Sequence, residues 1–180
     1  MKLLARGAEA ELYLTEWGGR RAVLKRRVEK PYRHPMLDRR LRLQRTLTEA
    51  RMLARAAELG VDAPALYEVR LGEAEIIMEY VEGVSLRWYV EERGVDARAS
   101  EAAEKLGWMI GVLHENGFTH GDVTTSNVLL GPEGRVVLID FGLASHSENP
   151  LDHAVDLHLF LRALRYPERN RVNSLAECSG

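Results

Sequence analysis

A chain of 180 residues is the usual size of a single domain. With 46% hydrophobic and 29% charged residues, it has enough apolar material for a core and lacks the composition of a disordered protein. Its single cysteine, Cys178, excludes an internal disulfide and a cysteine-based zinc site. No apolar run approaches the roughly 18 residues of a membrane span, so we expect a globular, cytoplasmic protein without a membrane partner.

The net charge of −2 is unevenly distributed along the chain. Residues 20–55 contain 13 Lys or Arg against Glu29, Asp38 and Glu49, a local excess of +10 that leaves −12 for the remainder. Such asymmetry is typical of a surface that binds nucleic acid or an acidic partner. It is equally typical of a solvated helix face, and both interpretations stay open at this point.

The first part of the chain predicts a β-hairpin followed by a helix. Polar and apolar residues alternate over residues 8–14, and Gly18-Gly19 forms a turn before a second strand at 21–25. Residues 26–35 contain two prolines and no periodicity, so they predict a connection. Apolar residues then recur at helical spacing over 37–59, which predicts a long helix that ends at Gly60.

Two further strands are predicted at 65–70 and 74–81, on either side of a turn at 71–73. The second half then changes to mostly helical patterns, which makes the chain an α+β protein. The predicted elements are a short helix at 86–93, a helix at 101–116 with Ser100 as its N-cap, a hairpin of 128–130 and 136–139, and a helix at 151–164. Apolar residues thin out over 166–180, which predicts a disordered tail.

The candidate catalytic and metal-binding residues lie in a polar loop and in a short turn. The loop is His-Gly-Asp-Val-Thr-Thr-Ser-Asn at 120–127, and the turn is Asp-Phe-Gly at 140–142. Phosphoryl transfer requires a carboxylate that orients the attacking hydroxyl, oxygen ligands for Mg²⁺, and a cation at the nucleotide phosphates. We therefore predict Asp122 as the orienting base, and Asn127 and Asp140 as the Mg²⁺ ligands.

The cation that phosphoryl transfer requires is predicted to be Lys25, which lies on a strand. It would touch the α and β phosphates of ATP and would itself be held by an acidic residue of the long helix. Glu49 is the best candidate for that acid, because Asp38 lies near the start of the helix.

The order of these elements resembles that of the protein-kinase superfamily. The resemblance implies a two-lobed fold, with a small β-rich N-lobe and one long helix at about residues 1–80 and a minimal, mostly helical C-lobe at about 81–165. It also implies that the Glu79 carbonyl and the Val81 amide bind adenine, and that Met78 guards the back of the pocket. Asp156 resembles the helix aspartate that supports the catalytic loop from below.

Three departures from ordinary protein kinases narrow the resemblance. The glycine-rich loop is reduced to one glycine, so phosphate contacts would come from Gly7, Ala8 and Glu9. Gly121 and Thr124 stand where most protein kinases have Arg and Lys, respectively. The segment after the Asp-Phe-Gly turn is too short for a long activation segment.

These departures look like those of the small atypical kinase of the KEOPS complex. Tyr-Arg-His-Pro at 32–35 and Thr-Thr-Ser-Asn at 124–127 are specific to it, and the likeness covers about residues 5–165. It implies a serine/threonine kinase or ATP hydrolase with ATP and Mg²⁺ as cofactors, which acts in tRNA threonylcarbamoyladenosine synthesis. It further implies that the threonylcarbamoyl-transferase subunit and other KEOPS subunits are partners, with tRNA a candidate ligand of residues 20–55.

Two alternatives to this interpretation belong to other classes. Small-molecule phosphotransferases of the aminoglycoside or choline kinase type share the His-Gly-Asp loop but usually carry a larger helical substrate lobe, for which 180 residues leave no room. A scaffold that binds ATP without catalysis would not need Lys25, Asp122, Asn127 and Asp140 together.

Overall fold

A five-stranded antiparallel sheet forms the first lobe of the computed structural model, which describes residues 1–165. The strands lie in the order β1-β2-β3-β5-β4. Their bounds are β1 Lys2–Arg6, β2 Ala10–Trp17, β3 Arg20–Arg27, β4 Leu66–Arg70 and β5 Glu75–Glu79. The tail predicted at 166–180 lies outside the described residues.

The predicted hairpin is present as β2 and β3, which pair from Ala10 with Arg27 to Trp17 with Arg20. Gly18 and Gly19 both have positive φ, which matches a two-residue turn between twisted antiparallel strands. Strand β1 was not predicted. Its sequence, Lys-Leu-Leu-Ala-Arg, has no alternation, and it acquires strand structure by pairing with β2.

One long helix, α1 (Pro35–Glu58), packs against the sheet. It begins two residues before the predicted start because Pro35 occupies the first turn, where a missing N–H costs nothing. Its buried apolar residues are Ala50, Met52, Leu53 and Ala56. They join the main core, together with residues of α3 and of the small strands below the cleft.

The second lobe is mostly helical, as predicted. Its helices are α2 Leu86–Arg93, α3 Ala97–Glu115 and α4 Pro150–Arg165, and its short strands are β6 Val84–Ser85, β7 Phe118–Thr119, β8 Val128–Leu130, β9 Val136–Leu138 and β10 Ser145–His146. The prediction of Ser100 as the N-cap of α3 was wrong: Asp96 is the N-cap, and its carboxylate accepts from the Ala99 amide at 2.9 Å. Helix α3 starts a turn earlier because the residues that follow Asp96 include two alanines and an arginine, which are good helix formers.

An ionic bridge joins the two lobes behind the cleft. Arg135, immediately before β9, donates to Asp62 at 2.8 Å and to Glu79 at 2.7 Å. The Leu138 amide donates to the Asp62 carbonyl at 2.9 Å, so the segment after α1 is fixed to the second lobe. Within residues 1–165, none of the helices is long and apolar enough to span a bilayer.

Candidate active site

The predicted ion pair between Lys25 and Glu49 lies at the centre of the cleft. Lys25 Nζ is 2.7 Å from Glu49 Oε1 and 2.8 Å from Asp140 Oδ1. The side chains of Lys25 and Glu49 are almost fully buried, at 6% and 1% exposed. Strand β3, helix α1 and the end of β9 therefore bring together three residues that are far apart in sequence.

Asp140 has an unusual backbone conformation, with φ of 61° and ψ of 68°. Aspartate tolerates this left-handed region better than most residues, and its Oδ1 accepts from the Gly142 amide two residues on. Burial raises the pKa of Asp140, but the Lys25 ammonium and the Arg27 guanidinium outweigh burial and hold that pKa below its ordinary value. Asp140 is therefore a carboxylate at neutral pH.

Arg27, which was not predicted from the sequence, binds the other oxygen of Glu49. Its Nη2 is 2.6 Å from Glu49 Oε2, and its side chain is only 6% exposed. Residues two apart on a strand face the same side of a sheet, so the spacing of Lys25 and Arg27 on β3 was the available signal. Arg26 faces the opposite side and pairs with Glu75 at 2.6 Å.

Asp122 and Asn127 lie in the loop between β7 and β8. Asn127 Nδ2 donates to the Asp122 carbonyl at 2.9 Å and to Asp122 Oδ2 at 2.8 Å. Because the amide nitrogen makes both bonds, the side-chain oxygen of Asn127 is left as an acceptor or a metal ligand. The five-residue spacing thus closes the loop and presents two oxygen groups side by side.

Asp156 of α4 supports this loop from below, as the resemblance implied. Its two carboxylate oxygens accept from the backbone amides of His120 and Gly121, each at 2.7 Å. Burial lowers the pKa of His120, which is therefore a neutral imidazole whose Nε2 contacts the Ile139 carbonyl at 3.1 Å. The loop is held by bonds to its backbone.

A steric constraint explains why residue 121 is a glycine. Its φ is 81°, and a Cβ at this position would overlap the carbonyl oxygen of Leu143. A side chain such as the arginine of most protein kinases would therefore force apart the loop and the segment after the Asp-Phe-Gly turn.

A cavity of about 400 Å³ lies between the two lobes. It is lined by eight residues predicted to bind the nucleotide or its metal: Gly7, Ala8, Glu9, Lys25, Met78, Glu79, Val81 and Asp140. Leu12, Val23, Leu129 and Ile139 add an apolar lining of the kind that suits a flat aromatic base. The cavity is large enough for a mononucleotide, and Lys25 and Asp140 are among its charged lining residues.

A second cavity, of about 570 Å³, opens beside Asp122. It is lined by Thr124, Thr125 and Ser126 of the loop and by Arg87 and Arg162 of the helices. Asp122 and Asn127 do not line the first cavity, whereas Asp122 lines the second. We call the side of the cleft with Lys25 and Asp140 the nucleotide side and the side with Asp122 the acceptor side, after the roles that the sequence predicts.

The short loop between β1 and β2, which the sequence predicts to contact phosphates, is joined to helix α1 and to the segment before it. Glu9 pairs with Arg45 at 2.7 Å and with Arg33 at 3.3 Å. The Gly7 amide donates to the Ala10 carbonyl at 2.9 Å, which closes the turn. Ion pairs thus fix a loop that has only one glycine.

Most of the basic residues of 20–55 are engaged in ion pairs. Eight of the 13 form one, with partners that include Glu9, Glu58, Glu75 and Glu82. The five that make no ion pair with another residue of 1–165 are Arg20, Lys30, Arg39, Arg40 and Arg51. The local excess of +10 therefore overstates the charge that this surface offers to a ligand.

Together these features define a protein-kinase-like fold: a β-rich lobe with a buried lysine and glutamate pair, a cleft, and a helical lobe with an Asp and Asn loop. The family model described as the RIO domain matches residues 20–157. The chain belongs to the RIO-domain family, a family of kinase-like proteins.

Sequence relatives support this assignment. A KEOPS complex subunit Bud32 from Pyrococcus abyssi is 44% identical over 91% of this chain and 76% of the relative. The corresponding subunit of the EKC/KEOPS complex from Dictyostelium discoideum is 38% identical over 89% and 66%. A probable bifunctional tRNA threonylcarbamoyladenosine biosynthesis protein from Methanosarcina mazei is 39% identical over 94% of this chain but only 29% of its own length.

The fold is also found in a solved structure. A Rio2 kinase from Chaetomium thermophilum, in a complex with ADP, Mg²⁺ and phosphoaspartate, superposes with a TM-score of 0.71 over 97% of this chain and 60% of that chain. At 17% identity, this similarity confirms the two-lobed α+β fold.

Proposed function

We propose that this protein is a Mg²⁺- and ATP-dependent atypical serine/threonine kinase or ATP hydrolase. The observation that carries the proposal is the contact of the buried Lys25 with both Glu49 and Asp140 beside a cavity of nucleotide size. Lys25 and Glu49 are buried charges that offset each other, and Asp140, whose side chain is 45% exposed, gives the lysine a second partner at the edge of the cavity. Binding of a polyphosphate is the function that fits their positions.

Lys25 has three N–H donors, of which Glu49 and Asp140 each take one. The third would bind the phosphates of ATP, and Glu49 would keep the ammonium pointed at them. The backbone of Glu79 and Val81 lies at the opposite end of the cavity, where it would bind adenine. Met78 precedes them and would limit the depth of the pocket.

Asp140 and Asn127 would hold Mg²⁺. Residues 1–165 contain no group of three or more His, Cys, Asp or Glu that could bind a metal by themselves. This suits Mg²⁺, which is usually bound by one or two protein oxygens together with substrate phosphates and water. When bound, the ion neutralises charge on the phosphates.

Asp122 would orient the attacking group. Its carboxylate is held by Asn127 at 2.8 Å and borders the second cavity. A hydroxyl or a water molecule that entered there would donate its proton toward Asp122 while it approached the terminal phosphate. The same geometry serves transfer to a serine or threonine and transfer to water.

We further propose that the chain acts within a KEOPS-type assembly in tRNA threonylcarbamoyladenosine synthesis. Support comes from the relatives, which are named as KEOPS subunits and as bifunctional biosynthesis proteins. The partners would be the threonylcarbamoyl-transferase subunit and the other KEOPS subunits, with tRNA at the exposed arginines of 20–55. In the bifunctional relatives this domain is part of a longer chain, which favours a transferase partner.

The proposal is tested by phosphate release from ATP, measured for the chain with and without the transferase subunit. We expect slow turnover alone, because Thr124 replaces a lysine that would contact the γ-phosphate, and a rise in turnover with the partner. Phosphorylation of a generic peptide by the free chain at about 1 per second or more, as in ordinary protein kinases, would contradict this expectation.

The competing proposal of a non-catalytic ATP-binding scaffold makes a different prediction for the same assay. A scaffold binds ATP, but its phosphate release stays at the background rate in the presence of every partner. Two variants distinguish nucleotide binding from catalysis. Lys25→Met should weaken nucleotide binding and stop turnover, whereas Asp122→Ala should stop turnover without weakening nucleotide binding.

A further inference from the structure

Glu49 is a buried carboxylate that is shared by two cations. Lys25 Nζ binds Oε1 at 2.7 Å and Arg27 Nη2 binds Oε2 at 2.6 Å. A buried carboxylate that loses its partners is costly, because water cannot replace them. Arg27 therefore remains an ion-pair partner of Glu49 when N–H groups of Lys25 turn toward the phosphates of a nucleotide.

Arg27 also contacts the turn that carries Asp140. A Cβ at Gly142 would overlap Arg27 Nη2, so the guanidinium lies directly against the backbone of this turn. Its charge helps to hold the pKa of Asp140 low. Arg27 thus lies between helix α1 and the Asp-Phe-Gly turn, and it lines the proposed nucleotide cavity.

We propose that Arg27 is a positioning residue of the nucleotide site. It holds Glu49 and the Gly142 turn in place independently of Lys25, and it thereby leaves donors of Lys25 for the phosphates of the nucleotide. This inference rests on the proposed ATP-dependent function. It predicts that Arg27 contributes to the rate of turnover more than to the affinity for ATP.

Arg26 provides a matched control, because it is adjacent in sequence and makes an ion pair of the same length, 2.6 Å, with Glu75 on the other side of the sheet. The experiment measures kcat and KM for Mg²⁺-ATP with the full chain and its Arg27→Met, Arg26→Met, Glu49→Gln and Arg27→Met/Glu49→Gln variants. Wild-type protein without turnover would contradict the proposed function, whereas the inference about Arg27 is judged only against an active wild type.

For Arg27→Met we expect kcat to fall about 10- to 100-fold, the usual consequence of misplaced catalytic groups, with KM changed less than about threefold. In Arg26→Met, kcat should stay within about twofold of wild type, because Arg26 does not line the cleft cavity and Glu75 retains a second partner, Arg70, at 3.8 Å. Arg27→Lys, which retains the charge, should recover part of the lost kcat. A loss in Arg27→Met no larger than that in Arg26→Met would overturn the proposal.

The double variant tests the mechanism and also covers the case in which Arg27→Met does not fold. If Arg27 acts through Glu49, then Arg27→Met/Glu49→Gln should turn over at about the rate of Glu49→Gln alone, because residues that act as one unit are not additive. This variant removes both buried charges, so no carboxylate is left unpaired. A further drop in kcat of tenfold or more would show that Arg27 acts by another route.

Discussion

The two sides of the cleft are built in different ways. On the nucleotide side, side-chain charges hold one another: Lys25, Arg27 and Glu49 are buried and, with the partly exposed Asp140, form a cluster with equal numbers of positive and negative charges. On the acceptor side, Asp156 holds the backbone of the loop, and the Asp122 carboxylate is held by the amide of Asn127 rather than by an opposite charge. The nucleotide side therefore depends on particular charges, whereas the acceptor side depends on the position of its main chain.

The largest expected effect is the loss of one charge on the nucleotide side. Asp140→Asn retains a residue that tolerates the left-handed backbone but removes the proposed metal ligand's charge, so ATP turnover should fall by about 10²- to 10³-fold or more. Its stability should change little. Phosphate release at saturating ATP and Mg²⁺ checks this prediction.

Asn127→Ala is the companion variant for the metal assignment. An amide ligand binds Mg²⁺ more weakly than a carboxylate does, so its turnover should recover in part as Mg²⁺ is raised. Wild-type turnover for Asp140→Asn in saturating Mg²⁺ would show that the metal assignment is wrong.

The acceptor side should respond to Asp156→Ala with a loss of stability. The buried amide of His120 and the partly buried amide of Gly121 would lose their acceptor, which typically costs about 1 to 3 kcal/mol for a buried group and less for a partly buried one. Turnover should fall as well, because the loop that carries Asp122 would move.

Urea unfolding measures this effect, with Asp152→Ala as the control. Asp152 accepts from Ser147 Oγ at the protein surface, so its loss should cost less than about 1 kcal/mol. Equal losses in the two variants would mean that Asp156 does not support the loop in the way its contacts indicate.

A smaller effect is expected at the bridge that joins the two sides. Burial raises the pKa of Glu79, but the bonds from Arg135 and from the Ala65 amide lower it below the ordinary value of 4.5. A carboxyl group whose pKa is lowered in the folded state stabilises the protein at pH values above its ordinary pKa. This stabilisation is lost as the pH falls through the pKa of the folded state.

Arg135→Met should therefore be less stable than wild type at pH 7, by about 1 kcal/mol for this partly exposed cluster. The difference should narrow as the pH falls from 7 to below 4.5. Urea unfolding across this range checks the prediction, and a difference that stays constant with pH would contradict the role assigned to Glu79.

The smallest expected effect lies on the outer face of α1. Arg39 and Arg40 are exposed and make no ion pair with another residue of 1–165. Their replacement by Glu should weaken tRNA binding and reduce the slope of log affinity against log salt by about 2.

Arg93→Glu is the control for this surface, since Arg93 is exposed but lies on α2, outside the basic stretch. Equal effects of the two changes at low salt would indicate a general loss of positive charge. If the variant with Glu at positions 39 and 40 binds tRNA with unchanged affinity, the basic stretch at 20–55 is a solvated helix face rather than a tRNA-binding surface.

The sequence predicted those parts of the site that follow from short-range patterns. Strand and helix periodicity placed Lys25 and Glu49 on β3 and α1, and the Asp and Asn spacing predicted the loop. Strand β1 and the bridge made by Arg135 depend on contacts between distant segments, so no local pattern indicates them. Arg27 was missed because a basic residue on a strand usually faces solvent, and only the packing of α1 buries it.

The anchoring of Glu9 by Arg33 and Arg45 has a consequence for the thermodynamics of nucleotide binding. A phosphate loop with several glycines loses much conformational entropy when it closes over a ligand. Here the loop is ordered when the protein folds, because the ion pairs of Glu9 join it to α1 and to the segment before α1 in the absence of a ligand. Nucleotide binding should accordingly show a smaller entropic penalty than in a kinase with a mobile loop, and Glu9→Gln should enlarge that penalty in calorimetry.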